Sequence, residues 1–136
     1  MKVNIGISKK NLDTINDALS IVLASEVTLY TKTRKFHWNV SGESFMELHK
    51  LFEAQYTELE EVIDQIAERI SKLGGKAIGT MAEFGKLTII KEHPNAYPSS
   101  KSTRWFRVVP SNLSVNRLSR HRRIFRRNCP RLFGGE

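Results

Sequence analysis

Residues 32–74 read KTRKFHWNVSGESFMELHKLFEAQYTELEEVIDQIAERISKLG, and the fold turns on this stretch. From Phe45 onward, Leu48, Phe52, Leu59, Ile63, Ile66, Ile70 and Leu73 recur at the period of a helix that buries one side. That helix starts near Glu43 or Ser44, and Gly74-Gly75 stops it, because glycine enters the left-handed C-terminal conformation without a Cβ clash. On its N-terminal side, Asn39-Val40-Ser41-Gly42 is a turn signal. Working back from that turn, Leu12, Ile15, Leu19, Val22, Leu29 and Phe36 form the apolar stripe of an earlier helix, with Ser8 or Asn11 as its cap. Glu26 and Thr33 interrupt the stripe. Each helix covers about 30 residues, roughly 45 Å at 1.5 Å per residue. Further on, Thr80-Met81-Ala82-Glu83 is a capping box that predicts a short helix from Met81 to about Ile90, ended by Pro94 and Pro98. No alternating strand pattern appears. The expected class is all-α: two long amphipathic helices in an αα-hairpin, which is half of a four-helix bundle.

The composition sets outer limits on function. With 136 residues and 40% hydrophobic content, the chain has the size and make-up of one globular domain. Its longest apolar run, Ala18 to Ala24, is interrupted by Ser20 and falls far short of the roughly 18 residues of a membrane span. The N-terminal MKVNIGISKK lacks the apolar core of a secretory signal. A single cysteine, Cys129, rules out an internal disulfide framework and a multi-thiolate zinc site, and fits a cytoplasmic protein. The net charge of +8 is divided unequally: residues 1–98 carry 12 Lys+Arg against 13 Asp+Glu, and residues 99–136 carry 10 Lys+Arg against Glu136 alone. The N-terminal part is nearly neutral, so the polyanion affinity that such a charge implies belongs to the tail.

Chemistry-bearing residues concentrate on the second helix. His49 and Glu53 stand at i,i+4, as do Asp64 and Glu68, and all four fall within a sector of about 100° on one side. Imidazole nitrogen mixed with carboxylate oxygen suits iron, manganese or zinc. Glu53 and Asp64 lie 11 residues apart, about 16 Å along the axis, so the two pairs cannot share a metal within one helix. Both pairs have the same midpoint, between Glu58 and Leu59. An antiparallel two-fold copy would therefore set His49 against Glu68 of its neighbour and Glu53 against Asp64, giving two identical sites between subunits. His37, across the turn, can reach His49. Trp38 beside it is placed to shield the site or to pack, and Tyr30 and Tyr56 are assigned to packing.

The opening HW-x-V-x-G-x-x-F-x-x-LH (His37 to His49), the later D-x-x-AER (Asp64 to Arg69) and the spacing between them resemble the Dps family, the DNA-protecting miniferritins of starved bacteria. The resemblance runs over about residues 5–98. It implies a ferritin-like four-helix bundle, of which the first two long helices and a short connecting helix are evident here, and twelve subunits in a hollow shell. It also implies a ferroxidase centre at each two-fold interface, with His37, His49 and Glu53 from one subunit and Asp64 and Glu68 from the next. The position of Glu53 is often aspartate in the family. The implied chemistry is oxidation of Fe(II) by hydrogen peroxide, or less readily by oxygen, with ferric iron stored inside. Iron is thus the implied metal, with no organic cofactor. DNA is protected by removing iron and peroxide together, and non-specific DNA binding is the accompanying partner expectation.

The resemblance stops near Ser100. A Dps-like chain is expected to continue with two further long helices. Here Pro110 and Pro130 interrupt, and Leu113, Leu118 and Phe125 make no sustained stripe. Two readings follow for 99–136. One is an arginine-rich arm, Arg117 to Arg131 with Trp105 and Phe106 nearby, that grips DNA phosphates and would make the protein a non-catalytic DNA-compacting module. The other, favoured by the loss of every acidic residue but Glu136 where the similarity ends, is a shifted reading frame that has replaced the native second half. On that reading the chain buries only part of its apolar faces and is expected to associate non-natively.

Overall fold

The computed structural model describes residues 5–99, which form three helices: α1 over Lys9–Asn39, α2 over Phe45–Lys72 and α3 over Met81–Leu87. No strand occurs among the described residues, and one isolated parallel bridge joins Ser41 to Ser99. Both readings of the basic tail fall outside the described residues, Ser99 apart.

The ends of the helices follow from local chemistry. Ser8 is extended, and its hydroxyl accepts the Asn11 amide at 3.3 Å, so α1 begins at Lys9. Gly42, at φ 106°, reverses the chain after α1, and Ser44 precedes the first residue of α2. At the far end of α2 the amide of Gly75 donates to the Ile70 carbonyl and that of Gly74 to the Ser71 carbonyl, each at 3.0 Å. With Gly74 at φ 78° this is a Schellman closure, and it satisfies carbonyls that the helix leaves free. A Cβ on Gly75 would stand 2.7 Å from the Asn16 side chain, so the end of α2 packs tightly on the start of α1.

The capping box of α3 forms as predicted. The Thr80 hydroxyl accepts the Glu83 amide at 3.3 Å, and the Glu83 carboxylate accepts the Thr80 amide at 3.0 Å. The Thr80 hydroxyl and the Gly79 and Thr80 amides hold the Glu83 carboxyl below its ordinary range. The helix is shorter than the capping box predicts, ending at Leu87 rather than near Ile90. Thr88 is extended, the Ile89 amide donates to Ser25 Oγ, and the Ile90 amide donates to Thr88 Oγ1. Side-chain acceptors take the donors that a continuing helix needs.

The core lies along the hairpin. Leu12, Leu23, Leu29 and Phe36 of α1 and Phe52 and Ile70 of α2 are buried in it, together with Val40 and Leu73 at the helix ends. Phe36 and Phe52 pack ring edge to ring face at 5.9 Å. Beside this stripe α1 also buries Ser25, Thr28 and Lys32, which share one helix face. The segment after α3 explains why. It runs back along α1, where Lys32 Nζ donates to the Lys91 carbonyl at 2.9 Å and Lys35 Nζ donates to the carbonyls of His93 and Pro94. Burial pushes the Lys32 ammonium down from its usual range. The hydroxyls of Ser25 and Thr28 donate to the carbonyls one turn earlier, so neither is buried without a partner. On α2 only Phe52 and Ile70 are fully buried, while Leu48, Leu59, Ile63 and Ile66 remain half-buried. Much of that stripe is left for another element to cover.

Candidate metal centre

The reversal at Gly42 brings the end of α1 against the start of α2, and two imidazoles meet there. The rings of His37 and His49 are stacked, with centroids 3.6 Å apart and planes 25° from parallel. Each ring also bonds to the other residue's backbone: His37 Nδ1 lies 2.9 Å from the His49 carbonyl, and His49 Nδ1 lies 3.0 Å from the His37 carbonyl. A carbonyl oxygen only accepts, so both Nδ1 atoms must carry the proton and donate. Both Nε2 atoms therefore stay outside this clamp. Fixing the ring by a Nδ1–H bond to a carbonyl is the usual way a protein readies Nε2 for a metal.

The clamp also has a structural duty. The His37 carbonyl lies in the last turn of α1, beyond which no helical amide reaches it. The His49 ring supplies the missing donor and so caps α1 from the side. Phe45 stacks on the outer face of His49 at 5.1 Å, and Tyr56 meets His37 edge-on at 5.2 Å.

The five candidate ligands fall into two groups. His37 and His49 are half-buried and together, and Glu53 is exposed one turn beyond His49 on the same side of α2. Asp64 and Glu68 are exposed farther along α2, and Lys72 Nζ pairs with the Glu68 carboxylate at 2.6 Å. That hydrogen bond holds the Glu68 carboxyl below its ordinary range. Among the described residues no three His, Cys, Asp or Glu side chains converge on one point. The chain by itself therefore holds a histidine pair and a separate carboxylate pair, not a closed metal site.

Two further features surround the histidines. Arg34 Nη1 donates to the Tyr30 hydroxyl at 2.6 Å, and the guanidinium lies over the rings of Tyr56 (4.9 Å), Tyr30 (5.5 Å) and Trp38 (5.5 Å). Trp38 is 64% exposed, neither packed in the core nor drawn over the histidines. The sequence also carries a signal for the packing of Tyr56 beside the histidines. Tyr30 precedes His37 by seven residues and Tyr56 follows His49 by seven, so both pairs share Glu43 as midpoint, and one hairpin register brings both together.

A family model described as a ferritin-like domain matches residues 16–104. A DNA protection during starvation protein of Brevibacillus brevis is 46% identical over 70 residues, 52% of this chain and 47% of its own length. The crystal structure of a Dps protein from Vibrio cholerae superposes with a TM-score of 0.72 at 32% identity, covering 80% of this chain and 67% of that one. The chain belongs to the Dps family of ferritin-like proteins. An uncharacterised low temperature-induced protein of Nostoc is also similar, 41% identical over 99 residues, 73% of this chain and 55% of its own length. This Dps-family chain thus spans about half the length of the curated relatives it matches. Its two long helices are those of a ferritin-like four-helix bundle. No described helix is long and apolar enough to cross a membrane.

Proposed function

We propose that residues 1–98 carry one half of a Dps-type ferroxidase, in which Fe(II) is oxidised by hydrogen peroxide at a site shared by two subunits. The observation that supports this best is the histidine clamp, which engages both Nδ1 atoms and leaves two Nε2 atoms outside it as candidate nitrogen ligands, with the Glu53 carboxylate one turn away. Such a donor set suits iron, and the carboxylates favour the harder ferric product. The Vibrio cholerae relative is described as one of the ferritin-like diiron-carboxylate proteins.

In this proposal His37, His49 and Glu53 bind Fe(II) from one subunit, and Asp64 and Glu68 complete the site from its two-fold mate. Glu68 must release Lys72 to do so. Two Fe(II) ions each give up one electron, and the peroxide O–O bond accepts both and breaks, yielding two water-level oxygens. Hydrolysis of the ferric product releases protons, which the exposed carboxylates of α2 can pass to solvent. The ferric product is stored within a homo-oligomeric shell. Consuming iron and peroxide together suppresses hydroxyl-radical formation, and this protects DNA in the bacterial cytoplasm without requiring contact with it.

Peroxide-dependent Fe(II) oxidation by the assembled full chain tests the proposal. His49→Ala and Asp64→Ala should each abolish it. Co-assembly of the two variants should restore activity, because a two-fold pair then contains one site with neither substitution. Unchanged oxidation in Asp64→Ala, or no recovery on mixing, would rule out the shared site.

A further inference from the structure

The histidine clamp continues into a longer array. In order, the rings of Phe45, His49, His37, Tyr56 and Tyr30 succeed one another with centroids 5.1, 3.6, 5.2 and 6.2 Å apart. The first two contacts are stacked, and the last two are edge-to-face at 78° and 89°. Edge-to-face rings place the positive rim of one on the negative face of the other, so they resist rotation in a way that aliphatic packing does not. Tyr56 is held in turn: the Arg34 guanidinium lies 4.9 Å from its centroid and is anchored by its hydrogen bond to the Tyr30 hydroxyl. Arg34 reaches these partners from α1 and Tyr56 from α2, so the support bridges the same two helices as the histidine clamp.

We infer that Tyr56, held by Arg34, is a positioning residue that fixes the orientation and Nδ1–H tautomer of His37 before any metal arrives. The physical need is plain. His37 lies near the end of α1 and is only half-buried, so beside Tyr56 its ring is held against turning about χ2 by the His49 carbonyl bond and the His49 stack, both of which come from a single residue. A ring that turns loses the Nδ1–H bond and with it the preference for that tautomer, and the form protonated on Nε2 has no lone pair there for a metal. The ring of Tyr56 does this work, not its hydroxyl, because no hydrogen bond joins that hydroxyl to the histidines. The consequence for metal binding rests on the ferroxidase proposal; the consequence for the tautomer does not.

The test is solid-state 15N NMR of the full metal-free chain labelled at histidine, which distinguishes the two tautomers directly. His37 should be wholly Nδ1-protonated in the wild type and in Tyr56→Phe. In Tyr56→Ala and Tyr56→Leu it should show a mixture of tautomers, with unchanged helix content by circular dichroism. Tyr56→Leu retains apolar bulk and guards against simple loss of packing. Ile63→Ala, two turns along α2, should leave the tautomer untouched. Alongside, Co(II) binding by the assembled chain should weaken about 10- to 100-fold in Tyr56→Ala and return in Tyr56→Phe, the range usual for residues that support a metal ligand. A pure Nδ1–H signal from His37 in both Tyr56→Ala and Tyr56→Leu would overturn the inference. Absence of Co(II) binding in the wild type, with the tautomer shift intact, would overturn the ferroxidase proposal alone.

Discussion

The histidine clamp makes a quantitative claim on stability as well as on chemistry. A hydrogen bond within a protein contributes about 0.5–1.5 kcal/mol net, and a stacked ring pair adds about 0.5–1.5 kcal/mol. Removing either ring takes away its own Nδ1–H bond and the stack, so His37→Ala and His49→Ala should each destabilise the metal-free chain by about 1–3 kcal/mol. The two losses should differ. The His49 carbonyl sits inside α2 and keeps its helical amide when the His37 ring is gone. The His37 carbonyl lies in the last turn of α1 and depends on the His49 ring, so His49→Ala should cost more. The double variant should be less damaging than the sum of the singles by about 0.5–1.5 kcal/mol, because the stack is lost only once. Urea unfolding followed by far-UV circular dichroism at one fixed protein concentration measures all four states, provided the slopes agree. Single losses that add to within about 0.3 kcal/mol would mean that the rings do not support each other, and the clamp would be refuted.

Three other outcomes are expected. Glu26 is 7% exposed, and burial raises its carboxyl above the ordinary range. A raised acid binds its proton more tightly when folded, so stability is lost as pH climbs from the unfolded value through the folded one; Glu26→Gln should therefore raise Tm at pH 7 and have little effect near pH 4, as a calorimetric pH series would show. Gly74→Ala forces a Cβ into φ 78° and should cost about 1–2 kcal/mol in the same urea experiment, with the loss seen as faster hydrogen exchange at the end of α2. Phe52→Ala empties the buried site against Phe36 and should cost about 3–5 kcal/mol, whereas Phe52→Leu should cost less than half as much.

The hairpin was legible because its signals are local. Ser8, Gly42, Gly74 and the Thr80–Glu83 box act within a few residues of where they stand, and each ends or begins a helix where the spacing says it should. The meeting of His37 with His49 was equally legible, since two helices joined by a short turn must bring residues beside that turn together. The length of α3 was not, because the Ile89 amide is taken by Ser25, 64 residues earlier. Nor was the burial of Lys32, a residue that belongs on a solvated face until the Lys91 carbonyl arrives to receive it. Tyr56 packs, as assigned, against Tyr30, but helix periodicity does not show that its ring also meets His37 edge-on.

Sequence alone determined the all-α class, the register of the hairpin and the residue types able to hold iron, for periodicity and spacing are properties of one helix at a time. Tertiary structure decided which nitrogen of each imidazole carries the proton, because that depends on a carbonyl from the other helix. It also decided that Lys32 lies buried, because the Lys91 carbonyl that accepts its Nζ comes from a segment 59 residues away. The separation of Glu53 from Asp64 needed no tertiary contact, since a straight helix holds residues 11 apart at about 16 Å.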